Sequence, residues 1–126
     1  MDENAIGTIV VDCAVKLHKS LGPGLLETVY EAVLAKQLVR AGLVIDRQMP
    51  IPIEFEGLKF DEGFRADLVV NGLVILELKS IEEVHPVHKK QLLTYLKLTN
   101  LKLCYLLNFG DELMKNGITR FINGNL

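Results

Sequence analysis

The 126-residue sequence lacks long hydrophobic segments, a recognisable secretion signal and a marked excess of either charge. No apolar run approaches the ~20 residues that are needed to span a bilayer. The formal net charge is −2, so no basic field attracts nucleic acid over the whole surface. Any contact with phosphate must therefore be local or carried by a metal ion. We expect a cytoplasmic protein that does not associate with membranes.

The sequence is also poor in residues that bind zinc or form disulfides. Cys13 and Cys104 are its only thiols, and both stand in apolar segments. This predicts core residues in a reducing cytoplasm, with a disulfide between them as the alternative. His18, His85 and His88 do not supply the closely spaced ligands of a structural zinc site. No phosphate-binding glycine loop, Cys-x-x-Cys pair or nucleophile elbow is present.

What the sequence does contain is typical of one ordinary globular domain, which we expect to span residues 1–126. Hydrophobic residues make up 49 % of the chain and charged residues 24 %, as in most globular proteins. The spacing of apolar residues predicts a first helix that begins near Asp2 and ends at the breaker cluster 20–24. A second helix is predicted from about Leu25 to Arg40, and a third from Pro86 to about Asn100.

Alternating and continuous apolar segments predict the strands. Three are expected between residues 44 and 79, and two more follow the third helix, at 102–109 and 118–122. Pro50 and Pro52 mark the first strand as an edge strand or a bulged one. The order helix-helix-strand-strand-strand-helix-strand-strand predicts an α/β sandwich, with one central mixed sheet flanked by helices.

The third strand carries the signal for function, because charged residues stand in it where a covered strand would be apolar. Residues 73–78 are apolar except for Glu77, and Lys79 follows on the same face of the strand. Charges in such a place are costly unless each has a partner. The nearest candidate is Asp67, on the preceding strand.

The turn between these two strands decides whether Asp67 reaches Glu77. A two-residue loop of Asn71 and Gly72 would place Asp67 on the face away from Glu77. A three-residue loop, 70–72, with Gly72 left-handed in a bulge, would place Asp67 opposite Ile75, diagonal to Glu77 and on the same face. We expect the three-residue loop, which lets two carboxylates share one cation.

Carboxylate ligands of this kind suit Mg²⁺ or Mn²⁺. Lys79, one step further on the same face, would orient or deprotonate a water molecule bound to the metal. A structural ion pair between Lys79 and one of the two acids is the alternative, and these three residues alone do not decide between the two.

Two predicted helices carry further polar residues. Glu27 lies in the first turn of the second helix, where its charge complements the helix N-terminus. Gln91 and Tyr95 share one stripe of the third helix with His88, and by themselves they indicate little.

A resemblance connects these residues. The segment LGPGLLETVYEAVL (21–34) contains Gly24-x-x-Glu27-x-x-Tyr30, and the chain resembles the bacterial GxxExxY family of the PD-(D/E)xK nuclease superfamily. The resemblance covers nearly the whole chain, including VHPVHKKQLLTYLKLTNLKLCYLLNFG (84–110). Gln91-x-x-x-Tyr95 is similar to the motif that follows Glu-x-Lys in the RecB-like branch.

The resemblance implies a restriction-endonuclease-like fold and a role for each of these residues. Lys79 would be the catalytic lysine, and Gln91 and Tyr95 would position phosphate or water. The implied ligands of Mg²⁺ or Mn²⁺ are the carboxylates of Asp67, Glu77 and Glu27 and the carbonyl of Leu78.

The function expected from the resemblance is a Mg²⁺-dependent nuclease that hydrolyses phosphodiester bonds, in DNA rather than RNA. The alternative is a non-catalytic module that keeps the nuclease fold and binds nucleic acid or a partner protein. A small domain that acts on duplex DNA is often a symmetric dimer, so we also expect a homodimer.

Overall fold

The computed structural model describes residues 1–126 and contains one five-stranded sheet and four helices. The elements in chain order are α1 (Glu3–Leu21), α2 (Glu27–Arg40), β1 (Ile45–Phe55), β2 (Leu58–Val70), β3 (Val74–Lys79), α3 (Pro86–Thr99), β4 (Leu103–Asn108), α4 (Met114–Gly117) and β5 (Ile118–Ile122). The sheet order is β1-β2-β3-β4-β5; β3 and β4 are parallel and all other neighbours antiparallel. The predicted element order and mixed sheet are confirmed.

The first two helices are joined by a short connection that hydrogen bonds hold in place. Asp2 caps α1 by accepting a hydrogen bond from the backbone N–H of Ala5 at 2.8 Å, and the helix ends at Gly22, whose φ is 74°. The Tyr30 hydroxyl donates to the Gly22 carbonyl at 2.6 Å and accepts from the backbone N–H of Leu25 at 3.2 Å. These bonds fix where α2 begins.

Helices cover both faces of the sheet, and each face has its own apolar core. The larger core lies between the sheet and helices α1 and α2, and the smaller core lies between the sheet and α3. Members of the larger core include Ile6, Val10, Tyr30, Leu34, Leu38, Leu68, Leu76 and Leu78. Members of the smaller core include Ile51, Ala66, Val69, Ile75, Leu92, Leu96, Cys104 and Leu106. Helices α2 and α3 therefore lie on opposite faces of the sheet.

β1 is an edge strand, as its two prolines predicted. Together with β2 it forms a long hairpin, whose turn residues Glu56 and Gly57 both have positive φ, 51° and 80°. This conformation suits the twist of a two-residue hairpin turn. The segment 61–65, which we expected to lead into the second strand, is part of β2.

The turn between β2 and β3 confirms one part of our expectation and corrects another. Gly72 has a positive φ of 66°, as predicted, and Asn71 has one of 52°. The backbone N–H of Leu73 donates to the Val70 carbonyl at 2.9 Å, and Val70 pairs with Val74. The expected register was therefore wrong, because the loop consists of 71–73 rather than 70–72.

Asn71 also makes contacts outside the hairpin. The backbone N–H of Asn71 donates to the Val44 carbonyl at 2.8 Å, and the Asn71 side-chain oxygen accepts from the Val44 N–H at 2.7 Å. These two bonds attach Asn71 to the segment that precedes β1. The observed register brings Asp67 level with Glu77, rather than opposite Ile75.

The two cysteines lie apart and are both free thiols. Cys13 packs against the core on the α1 side of the sheet, and Cys104 belongs to the core on the α3 side. A disulfide between them is therefore ruled out in this fold. Burial, followed by the negative charge of Glu77, raises the pKa of Cys104 to about 12, so this thiol is unreactive.

None of the four helices combines the length and the hydrophobicity that a crossing of the membrane requires.

Candidate active site

The candidate site lies where β2 and β3 separate, which we call the fork. The ladder between these strands runs from the pair Val70–Val74 to the pair Leu68–Leu76. Beyond it, β2 remains paired with β1, and β3 remains paired with β4. The next residues along the two strands are Asp67 and Glu77, so both carboxylates stand at the point of separation.

Hydrogen bonds connect the two strands across the fork. The Asp67 N–H donates to Glu77 Oε1 at 3.2 Å, and the Leu78 N–H donates to Asp67 Oδ2 at 2.9 Å. Each carboxylate therefore accepts a backbone N–H from the other strand. Since the N–H and C=O of an extended residue point to the same side, the Leu78 carbonyl also points into the fork. Three oxygen donors predicted as metal ligands meet here.

The electrostatics of the fork are unfavourable for a second negative charge. The pKa of Glu77 is raised from 4.5 to about 8 by burial and by the negative charge of Asp67. The backbone hydrogen bond from Asp67 and the positive charge of Lys79 oppose this shift. A bound cation would offset the repulsion, because it favours the charged form of both acids.

Lys79 does not neutralise the two acids by direct contact. It lies two residues after Glu77 in β3, hence on the same face of the strand, and it is partly buried. The ion pairs of the molecule all lie elsewhere, and they are Lys16–Asp12, Arg47–Glu31 and Arg65–Glu62. The structural ion pair that was the alternative for Lys79 is therefore not formed.

Helix α3 carries Gln91 and Tyr95, the two residues predicted to position phosphate or water. The Tyr95 ring stacks on Phe64 of β2, with ring centroids 3.7 Å apart and an interplanar angle of 2°. Burial raises the pKa of Tyr95, and the charges of Glu77 and Asp67 raise it further, while a hydrogen bond with Gln91 lowers it. Tyr95 therefore lies near the two acids on the α3 side of the sheet. Gln91 is exposed and lies four residues before Tyr95, on the same face of α3.

Glu27 stands apart from this group. It is exposed in the first turn of α2, which packs on the face opposite α3. The Ser80 hydroxyl donates to the Leu25 carbonyl at 2.5 Å, so the start of α2 lies next to the end of β3. Nevertheless, no three His, Cys, Asp or Glu residues form a cluster suited to a metal ion. The structure thus brings Asp67, Glu77 and Leu78 together at the fork, whereas Glu27 does not join them.

Two residues behind the fork, Gln48 and Glu31, were not predicted from the sequence. The Gln48 side-chain amide donates to Glu31 Oε1 at 2.5 Å and to Asp67 Oδ1 at 3.3 Å. Glu31, on α2, is only 6 % exposed and also accepts a hydrogen bond from Arg47 at 3.0 Å. The available signal was the spacing of Glu27 and Glu31, four residues apart and so on one helix face. No local pattern marked Gln48.

The three histidines have structural roles. His85 and His88 form a capping box at the start of α3, and the His85 N–H donates to His88 Nδ1 at 3.3 Å. His18 Nε2 lies 2.8 Å from the Asp111 carbonyl oxygen, within hydrogen-bonding distance.

A family model described as the PD-(D/E)XK nuclease superfamily matches residues 4–121. The chain belongs to this superfamily. The match includes every residue of the fork and supports the restriction-endonuclease-like class of the fold. Searches of curated proteins and of solved structures give no match.

Membership of the PD-(D/E)XK superfamily indicates a nuclease with a nucleic-acid substrate, and members generally use divalent metal ions. The donors at the fork fit such an ion. Two carboxylates and the Leu78 carbonyl form an all-oxygen set, which suits a hard cation that keeps several waters.

Proposed function

We propose that this protein is a Mg²⁺- or Mn²⁺-dependent nuclease of the GxxExxY type that hydrolyses phosphodiester bonds in DNA. The observation that carries the proposal is the pair of hydrogen bonds that holds Asp67 and Glu77 across the fork. These bonds keep two carboxylates together although their charges repel. Such an arrangement is unfavourable for stability alone and is typical of functional sites.

Each residue at the fork has a proposed role. Asp67, Glu77 and the Leu78 carbonyl would hold the metal ion. A bound ion would stabilise negative charge on the phosphate and lower the pKa of a water molecule. Lys79, free of ion pairs, orients the attacking water or accepts its proton.

The two helices complete the proposed site from opposite faces. Gln91 and Tyr95 supply an amide and a hydroxyl that bind a phosphate oxygen or the water. Glu27 reaches the fork from the α2 side when substrate and metal are bound, as an additional acidic partner. Its position beside the end of β3 supports this role, because the Leu25–Ser80 bond joins the two elements.

We further propose that the functional unit is a cytoplasmic homodimer, with residues 1–126 of each copy forming one nuclease domain. A single domain with a formal net charge of −2 gains little from long-range attraction to DNA. Two copies related by symmetry would double the number of local contacts with a duplex.

A second candidate function is a binding module that keeps the fold without catalysis. The position of Glu27 favours it, since no third carboxylate joins Asp67 and Glu77. Such a module would bind nucleic acid or a partner protein and would leave phosphodiester bonds intact.

Cleavage assays on a panel of substrates test the proposal. Single-stranded DNA, duplex, flap, junction and RNA would be incubated with Mg²⁺, with Mn²⁺ or with EDTA. We expect metal-dependent cleavage of at least one DNA substrate. Loss of a positioned acid–base group typically lowers rates by about 10²–10⁴-fold, so Lys79→Ala should do so while still binding metal.

Lys59→Ala is the matched control, because it removes the same charge from an exposed position on the β1–β2 hairpin. It should cleave at the wild-type rate. Cleavage that persists in EDTA or in Lys79→Ala would contradict the proposed mechanism. Metal binding without cleavage of any substrate would favour the binding module.

A further inference from the structure

The hairpin of β1 and β2 has an irregularity directly behind the fork. Gln48 has a positive φ of 49°, which is unfavourable for a residue with a side chain. The ladder between β1 and β2 pairs Arg47 with Leu68 and Met49 with Ala66, but the intervening positions, Gln48 and Asp67, are not paired. The ladder is therefore interrupted at this level, and the left-handed backbone lies on the β1 side, at Gln48.

The same irregularity changes which face of the sheet the side chains occupy. Residues an even number of positions apart on a regular strand share a face. On β1, however, Ile45 packs into the α2-side core and Met49 into the α3-side core. On β2, Ala66 and Leu68 likewise belong to opposite cores. In both strands the side chains switch from one face of the sheet to the other between the pairs Arg47–Leu68 and Met49–Ala66. Gln48 and Asp67 lie at this switch.

The consequence is a bridge from α2 to the fork. Both hydrogen bonds of the Gln48 amide nitrogen go to carboxylates, one on Glu31 and one on Asp67. The reverse orientation of the amide would place its oxygen against two carboxylate oxygens, so the donor orientation is the one that chemistry requires. Glu31 is itself fixed by burial and by Arg47.

The bridge fixes the second oxygen of Asp67. Leu78 N–H holds Oδ2 and Gln48 holds Oδ1, so each oxygen accepts one hydrogen bond and retains lone pairs for another partner. Groups that orient a metal ligand in this way commonly contribute 10–100-fold to metal affinity or activity.

We propose that Gln48 is a positioning residue that orients Asp67 toward the metal ion, with the buried Glu31 as its anchor. This inference rests on the proposed function, because it assigns Asp67 as a metal ligand. In this left-handed conformation the single amide of Gln48 reaches both carboxylates.

The experiment measures Mn²⁺ affinity by titration calorimetry and stability by urea unfolding in EDTA. Gln48→Gly removes the amide and also relieves the unfavourable φ, since glycine adopts this conformation freely. We expect the variant to be as stable as the wild type or more stable, with Mn²⁺ affinity 10–100-fold lower. A purely structural glutamine would show the opposite pattern, with lower stability and unchanged affinity.

Asn100→Gly is the matched control. Asn100 also has a positive φ, 59°, at the end of α3, and no hydrogen bond joins it to the fork. This variant should keep wild-type affinity. Cleavage by Gln48→Gly should recover at high Mn²⁺ concentration, because the defect lies in metal binding.

The outcomes separate this inference from the function on which it rests. A wild-type protein that neither binds Mn²⁺ nor cleaves DNA would overturn the proposed function and this inference with it. A wild-type protein that binds and cleaves, alongside a Gln48→Gly variant of equal affinity, would overturn the inference alone.

Discussion

Glu77 makes the stability of the metal-free protein depend on pH in a direction that is unusual for an acid. Burial and the charge of Asp67 raise its pKa from 4.5 to about 8 in the folded state. Below pH 4.5 the carboxyl group is protonated in both the folded and the unfolded chain. As the pH rises toward 8, the unfolded chain releases this proton and the folded chain retains it, so the protein loses stability.

The size of this loss follows from the difference between the two pKa values. Each pKa unit corresponds to about 1.4 kcal/mol, which gives an upper limit of about 5 kcal/mol for the shift from 4.5 to about 8. Water penetration and local relaxation lower such penalties. We therefore expect Glu77 to reduce the free energy of unfolding by about 2–4 kcal/mol between pH 5 and pH 8.

Glu77→Gln removes the titration and keeps an oxygen that accepts the Asp67 N–H. Urea unfolding in EDTA at pH 5, 6, 7 and 8 would compare this variant with the wild type. We expect the variant to gain about 2–4 kcal/mol relative to the wild type over this range. Glu54→Gln makes the same substitution at an exposed position of β1 and should show no such gain.

A difference between Glu77→Gln and the wild type that stays constant from pH 5 to pH 8 would refute this reasoning. It would mean that Glu77 titrates alike in the folded and unfolded chains. The fork would then be well solvated, contrary to the burial of its carboxyl group.

Two further predictions concern Asp67 at the fork and Asn108 at the end of β4. Asp67→Asn removes the charge beside Glu77 and keeps one acceptor oxygen. We expect calorimetry in EDTA to show unchanged stability or a gain of about 0.5–2 kcal/mol. The rise in melting temperature with Mg²⁺ should disappear. A strongly destabilised variant would instead show that Asp67 serves to hold the fold together. Asn108→Leu should lower the free energy of unfolding, measured in urea, by about 2–4 kcal/mol. The reason is that the buried Asn108 side chain hydrogen-bonds both the N–H and the C=O of Ile81. A loss below about 1 kcal/mol would argue against a stabilising role for these two bonds.

Much of the architecture could be predicted from the sequence, because it depends on local patterns. Apolar spacing predicted the helices, and Pro50 and Pro52 predicted an edge or bulged strand because proline has no N–H to donate to a ladder. The Asn71-Gly72 pair predicted a turn with left-handed residues. Glu77 and Lys79 stood out because charge is rare in a covered strand.

Some features of the site depend on contacts between segments far apart in the chain. Asn71 binds Val44, far away in the chain, and Val70 pairs with Val74, a register that places Asp67 level with Glu77. When two strands are apolar on both faces, several registers bury their side chains about equally well, so sequence alone could not choose among these registers.

The relation of the helices to the fork was likewise decided only by the tertiary structure. The sequence by itself determined that Glu27 lies on a helix and that Gln91 and Tyr95 share one helical stripe. It did not determine that the two helices cover opposite faces, because that depends on which sheet face each apolar stripe buries. The positive φ of Gln48 has no local signature at all, since it is stabilised by bonds to Glu31 and Asp67 that exist only once α2, β1 and β2 have packed together.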